Sequence, residues 1–298
     1  MSTAETTGAR YSYGADDSIF VELSEEMSLQ ASLRGMAITR LLRERRPEGV
    51  RDICPANASY LVRYDPDVLP SQELVELLKE LDGEVGDALD YELPTRIVEL
   101  PVLYRDPWTH ETLMRFRDRH QRPDLTDIEY AAEINGLESV EAFIEAHTGS
   151  PWFASMVGFV AGLPFLFQMV PRERQLEVPK YLRPRTDTPP LTVGHGGCFG
   201  CVYSVRGAGG YQQFGVTAAP IYDPSQALPD FEEFVCFFNP GDIVKFTAIE
   251  RERYDELRAE VDAGTFRLRQ RPVTFRLEAF LEDPDAYNHR LLEVLHGD

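Results

Sequence analysis

The residue types with the most evident chemistry lie in a glycine-rich stretch that runs from Leu191 to Pro224. Two glycine pairs, Gly196-Gly197 and Gly209-Gly210, interrupt its alternating apolar and aromatic residues. Glycine inside a strand marks a bulge, a corner or a close approach to the backbone. The pattern therefore predicts a barrel wall that also faces a ligand. The polar and aromatic side chains beside these glycines are Tyr203, Tyr211, Gln212 and Gln213.

A Cys-x-x-Cys pair, Cys198 and Cys201, follows His195 in the same stretch. Three such side chains resemble part of a zinc site, but a structural zinc ion takes four ligands and the sequence has no second pair of this spacing. A thioredoxin-type pair would open a helix after a strand, which the pattern does not predict here. We therefore favour small residues buried in a glycine-rich strand, and we predict no metal site.

Another histidine, His147, ends a predicted helix. A histidine there interacts favourably with the helix dipole, so the position favours a cap over a catalytic role. The sequence shows no phosphate-binding loop, dinucleotide fingerprint, zinc-protease helix or hydrolase nucleophile elbow. Any ATP chemistry would therefore come from another chain.

Charge and composition argue against several classes of protein. The 298 residues include 30 basic and 50 acidic side chains, and the formal net charge of −20 disfavours binding to nucleic acid. No apolar run reaches the roughly 18–20 residues that span a bilayer. The first residues are polar, unlike a signal peptide, and four cysteines do not indicate a disulfide framework. We predict a cytoplasmic protein.

The elements that position the glycine-rich stretch begin with a βαββαβ order, the split unit of ferredoxin-like domains. Apolar spacing at periods of two and 3.6 residues supports this order. The predicted strands are Ser18–Leu23, Val50–Ile53, Ser59–Tyr64 and Arg96–Tyr104, and the predicted helices are Ser28–Arg46 and one that begins at Pro70.

The pattern then changes twice. Trp108–Thr148 is predicted to be helical in three pieces, and the short apolar runs from Trp152 to Ile249 are typical of a closed or sandwiched antiparallel sheet. A helix over Glu250–Glu260 and a terminal strand and helix complete the prediction. The predicted fold class is α+β, with a ferredoxin-like domain over residues 17–105, a helical connector over 106–150, a β-barrel over 151–250 and an extension over 251–298.

Three segments resemble the allophanate hydrolase subunit 1 family, which includes the 5-oxoprolinase B subunit, the kinase inhibitor Kip I and half of the carboxyltransferase domain of urea carboxylase. Gly158–Leu166 resembles the family segment GFxPGFxYL, and Pro240–Phe246 is similar to its closing PGDxVxF. The glycine-rich stretch resembles the family core between them. Matching core positions are Gly196, Gly197, Tyr203, Gly209, Gly210, Gln212, Gly215, Thr217, Asp223 and Pro224.

Within this family the chain resembles urea carboxylase most, because Cys201-Val202-Tyr203 and Gly209–Gln212 are similar to its CVY and GGYQ segments. Other positions depart from the family pattern, among them His195, where the family has an aliphatic residue, and Val216, where it has an arginine. If that arginine holds substrate or partner, the specificity of this chain has changed. The remaining departures are Ala161 and Ala208.

The resemblance implies a ferredoxin-like domain followed by a cyclophilin-like barrel. It also implies a subunit 2-type partner, with the reaction site where the two barrels meet. In urea carboxylases the two halves transfer carboxylate from carboxybiotin to a urea nitrogen. No lysine here lies in a biotin-attachment context. We therefore expect biotin on another chain or domain, together with a biotin carboxylase and a biotin carrier protein, and we expect this chain to be inactive alone.

Under this hypothesis each site residue has an expected role. Backbone N–H groups at the two glycine pairs, Gly196-Gly197 and Gly209-Gly210, would stabilise developing oxyanion charge, and one such donor is typically worth about 3–4 kcal/mol. His195 or Tyr211 would relay the proton. Barrel-corner geometry alone explains the glycines equally well. The side chains expected to orient a planar amide-like substrate are Tyr203, Tyr211 and Gln212.

Three alternatives stay open at this stage. The chain could be the B subunit of an ATP-dependent 5-oxoprolinase, with partners that bear the nucleotide chemistry and no biotin. It could be a non-catalytic inhibitor of a histidine kinase, as Kip I is. It could also be a solitary module that binds a small molecule.

Overall fold

The computed structural model describes residues 8–297, which form two compact units. The first unit contains the residues up to Leu93 together with Phe275–Glu282. The second contains Pro94–Thr274 and the residues from Asp283 onward. None of the helices in the described part of the chain has the length and apolarity that crossing a bilayer requires.

The first unit is a four-stranded antiparallel sheet with helices. Its strands are β1 (Arg10–Tyr13), β2 (Ser18–Glu22), β3 (Val50–Ala56) and β4 (Ser59–Tyr64), in the order β1-β2-β4-β3. Its longer helices are α1 (Leu29–Arg45) and α2 (Ser71–Val85). Side chains alternate between the two faces along each strand, and one face is buried, so that Ile19 lies opposite Val62 in the core. Helix α1 begins after Ser28, whose hydroxyl accepts the N–H of Ala31.

The last strand of the predicted βαββαβ unit belongs to the second unit's barrel. Strand β5 (Glu92–Tyr104) pairs with barrel strands, and β1 supplies the fourth strand of the first sheet instead. The physical reason is the run from Ile97 to Tyr104, which is largely buried on both faces. A four-stranded sheet covered on one side would leave half of that apolar run exposed, whereas the barrel covers both faces.

The second unit is a closed barrel of seven strands. Its ring order is β12-β9-β10-β7-β6-β13-β5, and β5 pairs back with β12. All these pairings are antiparallel except that of β13 with β5. Besides β5, the barrel strands are β6 (Trp152–Val157), β7 (Pro164–Gln168), β9 (Thr192–Gly196), β10 (Phe199–Val202), β12 (Gln212–Thr217) and β13 (Ile243–Ala248). Strand β8 (Arg185–Thr188) pairs with β11 (Gly207–Gly209), and β14 (Gln270–Arg276) lies beside β5.

Three helices connect β5 to the rest of the barrel, as the sequence predicts: α3 (Pro107–Phe116), α4 (Asp127–Ile134) and α5 (Val140–Thr148). A capping box between Thr126 and Glu129 begins α4. Later helices are α6 (Arg251–Asp262), α7 (Leu277–Glu282) and α8 (Pro284–His296). The predicted α+β class with a barrel is confirmed, and the division of the chain at residues 105, 150 and 250 stays a prediction.

Candidate functional site

Several predicted site residues meet at a cavity of about 390 Å³ on the barrel wall. Side chains alternate along β10, so Val202 faces the main core while Cys201 joins a small separate apolar cluster. The cavity lies on the side of that small cluster. We call it the tyrosine cavity, and its lining residues are Phe159, Leu163, Phe165, Lys180, Pro184, Cys201, Tyr203, Ala208, Gly209, Gly210 and Tyr211.

Two predicted glycines make room for the two tyrosine rings. A Cβ atom on Gly196 would lie well within 3.0 Å of the Tyr211 ring, and one on Gly209 would lie as close to the Tyr203 hydroxyl group. A larger residue at either position would push the ring away from the wall. Burial raises the pKa of both phenols well above the usual range, so both hydroxyl groups are protonated donors at neutral pH.

Lys180 is the only charged residue that lines the tyrosine cavity, whose lining lies wholly within residues 8–297. Its Nζ lies 5.3 Å from the centre of the Tyr211 ring, within the range of a cation–π contact. Sequence reasoning noticed this lysine only as a residue that does not carry biotin. A signal was present, because Lys180 is one of three lysines in a chain that otherwise uses arginine.

Sequence reasoning also missed Arg185, a buried arginine that holds the backbone of the cavity residue Tyr211. Its Nη1 donates to the carbonyl oxygen of Tyr211 at 2.8 Å, and its guanidinium carbon lies 4.5 Å from the centre of the Tyr181 ring. The Tyr181 hydroxyl donates to Asp127 at 2.6 Å, which brings a counter-charge into the same buried region. Burial raises the pKa of Asp127, and the nearby Arg185 opposes that rise. No motif marks these residues, since their roles depend on contacts between distant segments.

His195 lies on the opposite face of the wall from the tyrosine cavity. Its ring packs edge-on against Trp152 at 5.7 Å, and its Nε2 is 3.1 Å from the carbonyl oxygen of Gly197. The period of two along β9 explains this, because Gly194 and Gly196 face the tyrosines while the residue between them faces the core. The structure therefore does not bring His195 to Tyr211.

The buried His195 predicts a pH dependence of stability. Burial lowers its pKa to about 4, so the folded protein binds a proton less readily than the unfolded chain, whose histidine has a pKa of about 6.5. The contribution of the neutral, buried His195 to the stability of the fold is present above about pH 6.5 and is lost as the pH falls towards 4. Lowering the pH from about 7.5 to about 5 should therefore reduce the free energy of unfolding by roughly 2 kcal/mol through this histidine. Chemical denaturation of the wild type and of His195→Gln at both pH values checks this, and an equal loss in both proteins would contradict it.

Two predicted residues, Gln212 and Gly197, do not line the tyrosine cavity and instead hold neighbouring segments of backbone. Gln212 is buried, its Nε2 donates to the carbonyl oxygen of Pro179 at 2.9 Å, and its Oε1 lies 2.9 Å from Nε2 of His120. It therefore positions the segment that carries Lys180. The N–H of Gly197 donates to the carbonyl of Val178 at 2.7 Å, so it is not available to an oxyanion.

Of the two predicted glycines that line the tyrosine cavity, Gly210 is the one with room beside its backbone. A Cβ atom there would meet only Pro184 and Lys180, at 3.8 Å or more, so a ligand can approach its backbone closely. His147, the capping candidate, is buried in the core instead, with its Nδ1 2.7 Å from the Tyr104 hydroxyl oxygen. Burial lowers the pKa of this histidine well below its usual range.

The Cys-x-x-Cys pair is split between two environments. Cys201 is buried in the cavity wall, where burial raises its thiol pKa, and Cys198 is partly exposed. Within residues 8–297, no three histidine, cysteine, aspartate or glutamate side chains converge in a way that could hold a metal ion.

Comparison with known proteins identifies the family. The family described as "Carboxyltransferase domain, subdomain C and D" matches residues 9–231. Urea amidolyase of Saccharomyces cerevisiae is 25% identical over 275 residues, which are 91% of this chain. The chain spans only 15% of the length of that relative. The 5-oxoprolinase B subunit of Bacillus subtilis is 28% identical over 255 residues, which are 82% of this chain and 95% of the relative.

The fold of the chain also matches a solved structure. The crystal structure of Kluyveromyces lactis urea carboxylase superposes with a TM-score of 0.83 at 20% identity, and the match covers 97% of this chain and 26% of that one. At this identity the match shows the fold alone. The family match covers most of the residues, including the glycine-rich stretch, and it confirms the resemblance found in the sequence. The chain therefore belongs to the family of carboxyltransferase domains, subdomains C and D.

Proposed function

We propose that this chain forms one half of a biotin-dependent carboxyltransferase site, which moves carboxylate from carboxybiotin to urea or a related small amide or guanidine compound. The other half would come from a subunit 2-type chain. One observation carries the proposal: the cavity of a carboxyltransferase-family chain places a lysine and two protonated phenols on one wall. The alignment with urea amidolyase over 91% of the chain supports urea-like acceptors.

The tyrosine cavity fits the ring system of biotin in size and chemistry. Its volume of about 390 Å³ falls within the range of small-molecule sites, which is about 300–1,000 Å³. Leu163 and Phe165 offer apolar surface, and Tyr203 and Tyr211 offer hydroxyl donors beside it. Biotin would be attached covalently to another chain or domain, and when bound in this cavity it would supply the carboxyl group that is transferred.

The residues of this chain would bind and polarise the reactants. The ammonium group of Lys180 would attract a carboxylate, and the hydroxyl groups of Tyr203 and Tyr211 would donate to a carbonyl oxygen that gains negative charge. The apolar side chains would exclude water, which strengthens these interactions. Gly210 would let the planar ligand lie against the backbone.

The proton of the attacking nitrogen needs an acceptor that this wall does not provide. Burial raises the pKa of the Tyr203, Tyr211 and Cys201 side chains, so none of them is a base at neutral pH. We therefore expect the subunit 2-type partner to supply the base, which makes the isolated chain inactive. Phe159 supports a shared site, because this residue lines the cavity and is 71% exposed, so a partner could cover it.

The test is a mild pull-down of the tagged chain from its own host, with mass spectrometry and a streptavidin blot. We expect a subunit 2-type chain, a biotin carboxylase and a biotinylated carrier in the assembly. The purified assembly should hydrolyse ATP only with bicarbonate and a urea-like acceptor. An assembly without any biotinylated protein would contradict the proposal.

A second candidate is the B subunit of an ATP-dependent 5-oxoprolinase. The observation in its favour is that the match to the Bacillus subtilis protein covers 95% of that protein's length. Under this alternative the same assembly would contain no biotin and would hydrolyse 5-oxoproline with ATP. Measuring both activities on one preparation separates the two candidates.

A further inference from the structure

The side chains that line the tyrosine cavity offer hydrogen-bond donors rather than acceptors. Its polar side chains are an ammonium group, two phenols and a thiol, which belong to Lys180, Tyr203, Tyr211 and Cys201. Within residues 8–297, no carboxylate, carboxamide or imidazole side chain lines it. We propose that this cavity binds a cyclic amide or cyclic urea that carries a carboxylate, and that the nitrogen compound that accepts the carboxyl group binds elsewhere.

Two of these donors are accessible to a ligand and have no acceptor in the described part of the chain. Lys180 is an exposed residue, and its Nζ contacts the face of the Tyr211 ring at 5.3 Å rather than an acidic side chain. The Tyr211 hydroxyl makes no hydrogen bond with residues 8–297 and, unlike the enclosed unpaired atoms of the core, keeps accessible surface. Burial raises the pKa of this phenol, so it stays a donor at neutral pH. A ligand is therefore offered a positive charge and an O–H group.

Most of the backbone acceptors around the cavity are already used. The carbonyl oxygen of Tyr211 accepts from Arg185 at 2.8 Å, and that of Gly210 accepts the N–H of Tyr181 at 2.8 Å. The other lining residues whose carbonyl oxygens have a donor outside the strand ladders are Leu163, Phe165, Lys180, Pro184 and Tyr203. A ligand rich in N–H groups would therefore find few acceptors in an apolar site, where unpaired donors are unfavourable.

These properties distinguish between the two reactants of a carboxyl transfer. Urea carries more N–H donors than acceptors, and a guanidinium ion would meet the ammonium group of Lys180. A ring carbonyl with a nearby carboxylate presents several acceptor oxygens instead, which can pair with the ammonium and the hydroxyl group at once. Leu163, Phe165 and Pro184 would cover the apolar part of such a ring. The cavity therefore fits the carboxylated ring and not the small nitrogen compound.

The charges beside the cavity also favour an anion, although the whole chain has a net charge of −20. The segment from Lys180 to Arg185 contains three basic residues and no acidic one. Lys180 lines the cavity, and the buried Arg185 donates to the backbone of Tyr211. Arg119 reaches the same segment and donates to the carbonyl oxygen of Pro184 at 2.7 Å. A carboxylate at Lys180 would therefore lie beside a basic part of an acidic chain.

The acidic side chains that contact this segment or follow it already have partners. Asp118 pairs with Arg183 at 2.9 Å, and Asp127 accepts the Tyr181 hydroxyl at 2.6 Å. Asp187 of strand β8 lies between two arginines, at 2.9 and 2.7 Å, which are Arg115 and Arg206. These carboxylates are therefore held by groups other than Lys180, and its charge stays available to a ligand.

The test measures the binding of small probes to the full chain by ligand-observed NMR. The probes are 5-oxoproline, which is a lactam with a carboxylate, and 2-oxoimidazolidine-4-carboxylate, which is the cyclic urea of the same shape. Both acids should bind saturably, and their neutral carboxamides should bind at least about fivefold more weakly. Urea and guanidinium should not compete with either acid. The acid that binds more tightly identifies the natural ligand as a lactam or as a carboxylated cyclic urea.

Three outcomes of this experiment would overturn the proposal. The first is that neither acid binds, the second is that the carboxamides bind as well as the acids, and the third is that urea displaces them. A preference for either acid over the other supports the proposal, because both acids have the carboxylate and the ring carbonyl that the cavity is expected to pair with.

Two variants assign the contacts. Lys180→Met should weaken the acids at least about fivefold and leave the carboxamides unchanged, because only the acids use the ammonium group. Tyr211→Phe keeps the ring and should weaken acids and carboxamides alike, but it should not change the binding of cyclopentanecarboxylate, which has no ring carbonyl. If Lys180→Met weakened acids and carboxamides equally, the lysine would be shaping the cavity rather than binding the carboxylate, and the proposal would be wrong.

Lys79→Met is the matched control, because Lys79 makes a similar contact with Tyr11 in the first unit. It should leave the affinity for every probe unchanged. The inference rests on the proposed function in taking the tyrosine cavity as the reaction site, but its test needs neither a partner chain nor biotin. Preferred binding of 5-oxoproline would support the inference and contradict carboxyl transfer, whereas a pull-down without a biotinylated protein would contradict carboxyl transfer alone.

Discussion

Replacing Gly215 by alanine is expected to lower the free energy of unfolding by about 3 kcal/mol. Gly215 lies on β12 opposite Tyr104 of β5, at the pairing that closes the barrel. A Cβ atom there would lie 2.9 Å from the Cα atom of Tyr104 and closer still to the carbonyl oxygen of Leu103. Backbone atoms of a paired strand cannot turn aside as a flexible side chain can, so the ladder itself must open.

The matched control for this prediction is Gly207→Ala. Gly207 lies on β11 nearby in the sequence, and a Cβ atom there would meet nothing within 4 Å. Urea denaturation followed by circular dichroism should leave this variant within about 0.5 kcal/mol of the wild type. Gly215→Ala should lose a large part of a total stability that is typically about 5–15 kcal/mol. Similar unfolding curves for the two variants would show that the barrel does not depend on a close approach at β12 and β5.

Lys180→Met is expected to lower kcat/KM for carboxyl transfer by the assembled enzyme about 100-fold. The expectation rests on the proposed function, in which this ammonium group is the only charge that residues 8–297 contribute to the tyrosine cavity. Methionine keeps the length and apolar body of the side chain, so the contact with the Tyr211 ring loses its charge rather than its packing. The measurement is steady-state transfer with bicarbonate, ATP and a urea-like acceptor.

Lys79→Met serves as the control, because Lys79 has a similar cation–π contact in the first unit. Its Nζ lies 5.6 Å from the centre of the Tyr11 ring, close to the 5.3 Å between Lys180 and Tyr211. We expect Lys79→Met to retain full activity, and we expect both variants to recover the same partners in a pull-down. A loss of less than about threefold in Lys180→Met would remove this lysine from the reaction.

The sequence could predict the glycine-rich wall but not which of its side chains face the ligand. A period of two places His195 and Gly196 on opposite faces, yet period alone does not say which face is the core. The structure resolves this because the two glycines flanking the histidine are the positions where tyrosine rings approach the wall. His195 is thereby turned towards Trp152 and the core.

Local patterns determined much of the rest. Apolar periodicity, caps and turn residues act over a few positions, so the sequence by itself determined most helices and strands, the α+β class and the family. Partners that are distant in the chain were decided only by the tertiary structure, because contacts between separate segments leave no local pattern. Strand β5 joined the barrel because the barrel buries both of its faces. Lys180 lies over the Tyr211 ring because the fold of the second unit brings their two segments together.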